Sequence, residues 1–406
     1  MDTIGVAVIG CGIRGLTLLK HIEAEEGIRI AVLCDASEDK LRRGLERVGG
    51  IEYGTMVTDY RVAVAQPDVD AVFVTVPDFM HEEVAVSALE AGKHTYLEKP
   101  IAPTLDAAAR IVEAARASSA VLSIGYTLRE APMYQKVIEL VRSGTIGQVM
   151  HINAWEHLQK DHGASYMRRW HRYERNSGGF LLAKCSHDLD LINLVAEGLP
   201  ARVASFGGRD YFNPFGDTPA RCSECPPEIK SACLFEYTGF GVVDADSDET
   251  AHDLCAYNSH KDVVDNQAVM LEYPSGIRAS FSMQLFATRG ERVMHVTGSK
   301  GHIHANLEAG TIAVSSIATG TEQMLTDFPA DSFHGGGDTR IVSRFFDAVR
   351  KGQAPAANYA DGFNSAVVAL MAEKSRKTGS VQQISTDVYV ATAGNKADST
   401  GGVKQG

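Results

Sequence analysis

The hexapeptide Gly10-Cys11-Gly12-Ile13-Arg14-Gly15 lies between an apolar, β-branched run, Ile4 to Ile9, and a helix-like stretch, LTLLKHIEA. Glycines at this spacing permit a tight turn, close approach of the backbone to a pyrophosphate, and close packing of helix on strand. The helix N-terminus then presents free N–H groups to the anion. Asp35 ends the next apolar run, 20 residues after Gly15, where a carboxylate hydrogen-bonds the adenosine ribose hydroxyls. The same carboxylate repels a ribose phosphate, so the pattern favours NAD over NADP. Pro77 and Asp78 follow a third run and Glu98-Lys99-Pro100 a fourth. Both groups therefore fall at the carboxyl edge of a parallel sheet, on the nicotinamide side of the nucleotide. A lysine there can hydrogen-bond a substrate hydroxyl and take or return its proton.

Two further groupings carry chemistry. Arg168-Arg169-Trp170-His171-Arg172, with Arg175 close by, concentrates positive charge in an otherwise acidic chain. Its guanidinium forks match a carboxylate, sulfonate or phosphate on a substrate, and Trp170 can stack on a sugar ring. A solvated loop with cation–π contacts or subunit salt bridges is the competing reading. Cys222 and Cys225 have CxxC spacing, and Cys233 and Cys255 follow within a loop-rich stretch. Four such thiols suit a tetrahedral structural zinc, while reduced, partly buried thiols are the alternative because the second pair lacks CxxC spacing. Cys11, Cys34 and Cys185 read as small buried residues.

The elements that must position these groups are legible as alternating patterns. Between residues 1 and 126, IGVAVIG, IRIAVLCD, DAVFVTVP, KHTYLEKP and AVLSIGY alternate with helical periods. This is the order of βαβ units, which predicts an α/β fold opening with a five-stranded, doubly wound parallel sheet. After a helix near 132–143 the grammar becomes antiparallel: VMHINAWEH, QAVMLEY, IRASFSMQLF, RVMHVTGS, HIHANLE and TIAVSS are joined by short turns. Pro274-Ser275-Gly276 and Gly298 to Gly301 read as tight connections. Residues 127–385 are thus expected to form an α+β domain on a large, open, mostly antiparallel sheet. They carry a Cys-rich insertion at about 209–262, and a frayed tail over 386–406 follows.

With 406 residues, 22% charged and 44% hydrophobic, the chain is long enough for two or three domains with substantial cores. A net charge of -12, from 39 Lys and Arg against 51 Asp and Glu, makes nucleic acid and anionic membranes poor default partners. The first residues, MDTIGVAVIG, carry no basic leader or cleavage pattern, from which a cytoplasmic location is expected.

The Rossmann-type start, Glu98-Lys99-Pro100 and the following mixed-sheet region together resemble the Gfo/Idh/MocA family of NAD(P)-dependent sugar and cyclitol oxidoreductases, over about Thr3 to Ile384. The resemblance implies a catalytic role for Lys99. It also implies one for His187, on a helix opening after Gly178-Gly179, with Asp190 three residues beyond. The family places an Asp four residues before that histidine, and here the position is Ala183. Lys184, which can share a helical face with His187 and Asp188, is the expected substitute. Burial near Lys99 is expected to lower its pKa and suit it to acid–base work. His334 opens a Gly-rich stretch ending in Asp338, similar to one that some relatives bring near the active site; Asp338 can equally be an N-cap. Homo-dimers or homo-tetramers are implied by the same likeness.

Three functions follow. One is hydride abstraction from a C3-like carbinol carbon of an anionic pyranoside, opening a redox-neutral cycle of oxidation, elimination, hydration and reduction. Lys99, Tyr126, His171, Lys184 and His187 would manage its protons, and a sulfoquinovoside is a candidate substrate. The second is a simple sugar or cyclitol dehydrogenase that releases NADH. The third is a non-catalytic dinucleotide-binding regulator.

Overall fold

The computed structural model describes residues 3–214, 216, 218–236, 253–330 and 334–390. The first unit is built from β1 (Ile4–Ile9), α1 (Ile13–Glu23), β2 (Ile28–Cys34), α2 (Glu38–Val48), β3 (Thr55–Val57), α3 (Tyr60–Val64), β4 (Ala71–Val74), α4 (His81–Glu90), β5 (His94–Leu97), α5 (Leu105–Ala117) and β6 (Leu122–Ile124). Its sheet is wholly parallel in the order β3-β2-β1-β4-β5-β6. The strands are buried on both faces, which is why they read as continuous apolar runs. The sheet has six strands rather than the five expected. β3 is a three-residue edge strand with little burial, too short to leave an alternation in the sequence.

The second unit comprises α6 (Pro132–Arg142), β7 (Val149–Gln159), α7 (Lys160–Tyr166), α8 (Glu174–Ser177), α9 (Phe180–Val195), β8 (Arg202–Gly208), α10 (Pro227–Lys230) and β9 (Asn266–Glu272). It continues with β10 (Arg278–Ala287), β11 (Glu291–Gly298), β12 (Gly301–Asn306), β13 (Thr311–Ser316), β14 (Glu322–Leu325), α11 (Gly337–Lys351), α12 (Tyr359–Thr378) and β15 (Gln382–Gln383). Nine strands run β14-β13-β12-β11-β7-β10-β9-β8-β15. All the pairings are antiparallel except β10 with β7. The hairpin at Gly276 has φ +85°, as a turn glycine permits. Ile152, Ala154, Glu156 and Leu158 of β7 are buried on the face that α9 covers, and His151, Asn153, Trp155 and His157 alternate onto the other.

Two C-terminal helices return to the first unit. α11 lays Ile341, Val342, Phe345 and Phe346 into one core with Val6, Val8, Phe73 and Tyr96. The Phe73 ring stacks on Tyr96 at 4.8 Å and meets Phe345 edge-on at 5.2 Å. α12 packs on α5 and on α9, so α9 and the carboxyl edge of the first sheet are held against a common support. Among the described residues no helix is long and apolar enough to cross a membrane. The stretches 237–252 of the Cys-rich insertion and 391–406 of the expected tail lie outside the described residues.

Candidate active site

The fingerprint loop is shaped by what its glycines leave out. Gly10 has φ +93°, and a Cβ there would sit 2.6 Å from the carbonyl carbon of Thr75. Thr75 Oγ1 donates to Gly10 O at 2.6 Å. At Gly15 a Cβ would come within 2.1 Å of Gly10 O, so this glycine lies beneath the loop and lets α1 pack against it. Gly12 caps α1 with no side chain over its first N–H groups. Asp35 closes the loop's far side: Oδ2 accepts from Cys11 N at 2.9 Å and Oδ1 from Ser37 N at 3.1 Å.

Arg14 ties three segments together. Its guanidinium reaches Glu98 Oε1 at 2.6 Å, Asp338 Oδ1 at 2.5 Å and Thr127 Oγ1 at 2.9 Å. Glu98 also accepts from Tyr96 Oη at 2.9 Å. Glu98 and Arg14 thus pin α1 to the end of β5 and the start of α11.

A cavity of about 530 Å³ opens over the loop, bounded by Gly10, Gly12, Ile13, Arg14, Asp35, Pro77, Asp78, Glu98 and Lys99 on one side. Arg169, Trp170, His171, Lys184, His187 and His334 bound it on the other. The loop that a Cβ would fill and the buried Asp78 Oδ2, which lacks a hydrogen-bond partner, fit a dinucleotide on this floor.

Two lysines meet here in opposite environments. Lys99 Nζ donates to the carbonyl of Ala183 at 2.6 Å. Burial and then the like charge of Lys184 lower its pKa. Burial pulls Lys184 down too, but the carboxylate of Glu156, 3.2 Å from Lys184 Nζ, outweighs it and holds the ammonium above its ordinary value. The expectation of a lowered pKa at Lys184 is therefore corrected. The depressed amine is Lys99, because the buried counter-charge stands beside Lys184.

Glu156 is itself gripped by Arg292, whose Nε also lies 2.9 Å from Asp188 Oδ1. Burial favours the neutral form of Glu156, yet Arg292 and Lys184 hold it well below the usual carboxylate range. Asp188 is pushed up to about 8 by burial, with Arg292 opposing and Glu156 reinforcing. Glu156 is the ionised member and Asp188 the proton holder. A carboxyl raised in the folded state contributes stability that is fully present below its unfolded value of about 3.9 and is lost as pH rises through the folded value. Asp188→Asn is accordingly expected to flatten stability between about pH 4 and 8, as read from denaturant midpoints across that range. An unchanged slope would place the proton elsewhere. Glu156, Cys185 and Asp188 are also the one group of three candidate metal ligands within 4.8 Å among the described residues. Arg292 and Lys184 already supply the positive charge there.

His187 is 2% exposed, its Nδ1 lacks a hydrogen-bond partner, and burial and then Lys99 drive its pKa well below the ordinary value. It is a neutral imidazole. The His334 ring lies 5.7 Å away and is oriented by Asp338 Oδ2 at 2.9 Å. Gly336 is the residue before α11, with Asp338 in the first turn, so Asp338 orients His334 and anchors Arg14 rather than capping the helix.

Several expected site residues stand elsewhere. Arg168 donates to Leu254 O at 2.7 Å and to Phe235 O. Arg172 donates to Arg168 O at 2.7 Å and covers the Tyr173 ring. Neither lines the cavity; the arginine of that cluster that does is Arg169. A 3-10 turn at Trp170–Arg172 rotates neighbouring side chains to different sides. Tyr126 is buried behind His187, ring centroids 5.9 Å apart, and does not line the cavity. Asp190 makes a two-pronged pair with Arg129 at 2.6 Å, joining α9 to the segment after β6. Glu156 and Arg292 went unread, although a charge at an inward position of each strand's alternation is the signal for them. The four thiols of Cys222, Cys225, Cys233 and Cys255 line a second, small cavity that shares no lining residue with this cleft.

Residues 4–126 match a family described as an oxidoreductase family with an NAD-binding Rossmann fold, and residues 134–304 match the GFO/IDH/MocA C-terminal domain. The chain is 27% identical to the putative oxidoreductase YteT of Bacillus subtilis over 63% of its length and 64% of that protein. It is 27% identical to 2,7-anhydro-N-acetylneuraminate hydratase of Mediterraneibacter gnavus over 51% of its length and 53% of that protein. These matches span about half to two thirds of the relatives' own lengths. Levoglucosan dehydrogenase, solved with NADH and levoglucosan, superposes with a TM-score of 0.76 at 18% identity, covering 94% of this chain and 99% of that one. Both domains, their order and the fingerprint geometry agree: the chain belongs to the Gfo/Idh/MocA family of oxidoreductases.

Proposed function

We propose that this protein is an NAD-dependent enzyme acting on an anionic pyranoside, abstracting hydride from a C3-like carbinol carbon as the first step of redox-neutral glycoside cleavage. The observation that carries the reading is the split lysine pair: a depressed amine, Lys99, and a persistent ammonium, Lys184, on one cavity with the neutral imidazole of His187. Groups whose environments drive their protonation apart are how one site runs acid and base steps together.

The loop Gly10 to Gly15 and Asp35 would hold the nucleotide, which when bound supplies a hydride acceptor at the substrate carbon. Lys99, whose proton burial and Lys184 loosen, takes the hydroxyl proton as that carbon is oxidised. His187, neutral and reaching the same cavity, holds the hydroxyl or carries the C2 proton that the new ketone acidifies. Lys184 remains charged and offsets the developing enolate oxygen. Arg169 with Lys184 gives the cavity a positive wall for a carboxylate or sulfonate, and a sulfoquinovoside is one such substrate. Trp170 stacked on His171 at 3.6 Å provides a flat surface for a sugar ring. Loss of the C2 proton with departure of the aglycone from C1, addition of water across C1 and C2, and return of the hydride to C3 and a proton to its oxygen would close a cycle without net redox change. A relative named as a hydratase of an anionic anhydro-sugar supports chemistry of that type.

A dehydrogenase is the second reading, favoured by the superposition on levoglucosan dehydrogenase. A panel of p-nitrophenyl and sulfonated glycosides with NAD, followed for aglycone and for absorbance at the NADH band, separates the two. Aglycone release without accumulated NADH is the expected result. Stoichiometric NADH would establish the dehydrogenase, and binding without turnover a regulator.

A further inference from the structure

The described residues of 209–236 and 253–262 form a lobe with little regular structure: α10, four residues long, and an isolated antiparallel bridge between Arg221 and Leu254. Phe212, Phe235 and Ala256 are buried in the main core, with Tyr211 and Tyr257 packed against them, but with so little regular structure the turns of the lobe that carry the cysteines are held by few backbone hydrogen bonds. Its four cysteines are all free thiols, and the fold draws them together from three directions. Cys222 and Cys225 sit on one turn, with Cys225 N donating to Cys222 O at 3.2 Å. Cys233 follows α10, its N–H bonded to Lys230 O at 3.1 Å. Cys255 arrives on the bridged strand, where Cys222 N donates to Asp253 O at 2.7 Å and Cys255 N to Ala220 O at 2.8 Å. All four line one small cavity closed on one side by Phe235 and Tyr257. As placed, no three of the sulfurs lie within 4.8 Å of one another.

The lobe is also the support for the cavity's positive wall. Leu254 O and Phe235 O receive the Arg168 guanidinium, and Ser259 Oγ donates to Met167 O at 3.3 Å. Asp262 N donates to Arg172 O at 3.1 Å, and Asp262 Oδ1 accepts from Glu174 N at 2.6 Å. Between these anchors lie Arg169, Trp170 and His171.

We infer that Cys222, Cys225, Cys233 and Cys255 bind one tetrahedral zinc ion and that this ion holds the 167–174 segment in its cavity-lining position. Soft thiolates in a set of four select zinc over magnesium or calcium. Coordination replaces the proton of each thiol by the metal, and no oxidant takes part.

The wild-type protein, purified without an affinity tag under reducing conditions, is expected to hold one zinc per chain by elemental analysis. Its four lobe thiols should be slow toward a disulfide reagent until a chelator is added, and Cys225→Ser should lose the ion. Amide exchange of 167–174 should quicken on stripping, while the NADH fluorescence titration stays unchanged; that titration fails only if the nucleotide assignment is wrong. Absence of metal with four reactive thiols, iron in place of zinc, or a disulfide by mass would overturn the site. Bound zinc whose removal leaves exchange of 167–174 unaltered would overturn its role as the tether.

Discussion

Lys99→Ala is expected to lower turnover by about 100- to 10,000-fold, the range that a positioned proton carrier supplies, with NAD affinity largely kept. Lys99 lines the cavity beyond the loop that would hold the nucleotide, and its Nζ donates to the Ala183 carbonyl. Lys99→Arg should not rescue the activity, because a guanidinium does not give up its proton at working pH. The partner lysine leaves a signature in the pH profile. Lys184 is the first of the charges that depress Lys99, so Lys184→Met should move the acid limb of kcat toward higher pH. Steady-state rates across pH for the three variants check this. Undiminished turnover in Lys99→Ala would remove Lys99 from the chemistry.

Arg292→Met should destabilise the fold by about 3–5 kcal/mol, the usual cost of removing one partner from a buried ion pair. Arg292 is 4% exposed and sits between Glu156 and Asp188, both equally buried. In the variant, both carboxyls take up protons more readily in the folded state than in the unfolded one. A native state that binds more protons loses stability as pH rises. The deficit should therefore be smaller at pH 5 than at pH 8, which denaturant unfolding at the two values measures. Equal deficits would mean that the pair does not carry charge into the interior.

The first unit was largely legible because parallel strands buried on both faces leave unbroken apolar runs, and because the spacing from Gly10 to Asp35 is set by one βαβ step. The second sheet was legible in outline from its alternation, but not its edges β14 and β15, four and two residues long, nor β8, whose run ends in two glycines. Within the site, individual residues on helices and strand ends could be read: Lys99, His187 and Lys184 all line the cavity. The Arg168–Arg172 cluster could not be resolved residue by residue, since a tight turn sends adjacent side chains to different environments. The charge state of Lys184 was beyond the sequence altogether. It depends on Glu156 and Arg292, 28 and 108 positions away in the chain, and long-range electrostatics leaves no local pattern.

The return of α11 to the first sheet bears on how the chain reaches its native state. Phe73 and Tyr96 are made early in synthesis, yet the aromatic partners that cover them, Phe345 and Phe346, emerge some 250 residues later. Until then an apolar surface stands open on the nascent polypeptide, the condition in which chaperones bind and premature release ends in aggregation. The nucleotide half is therefore not an autonomous module: a fragment ending at residue 126 should be insoluble, and supplying α11 in trans is what would restore it.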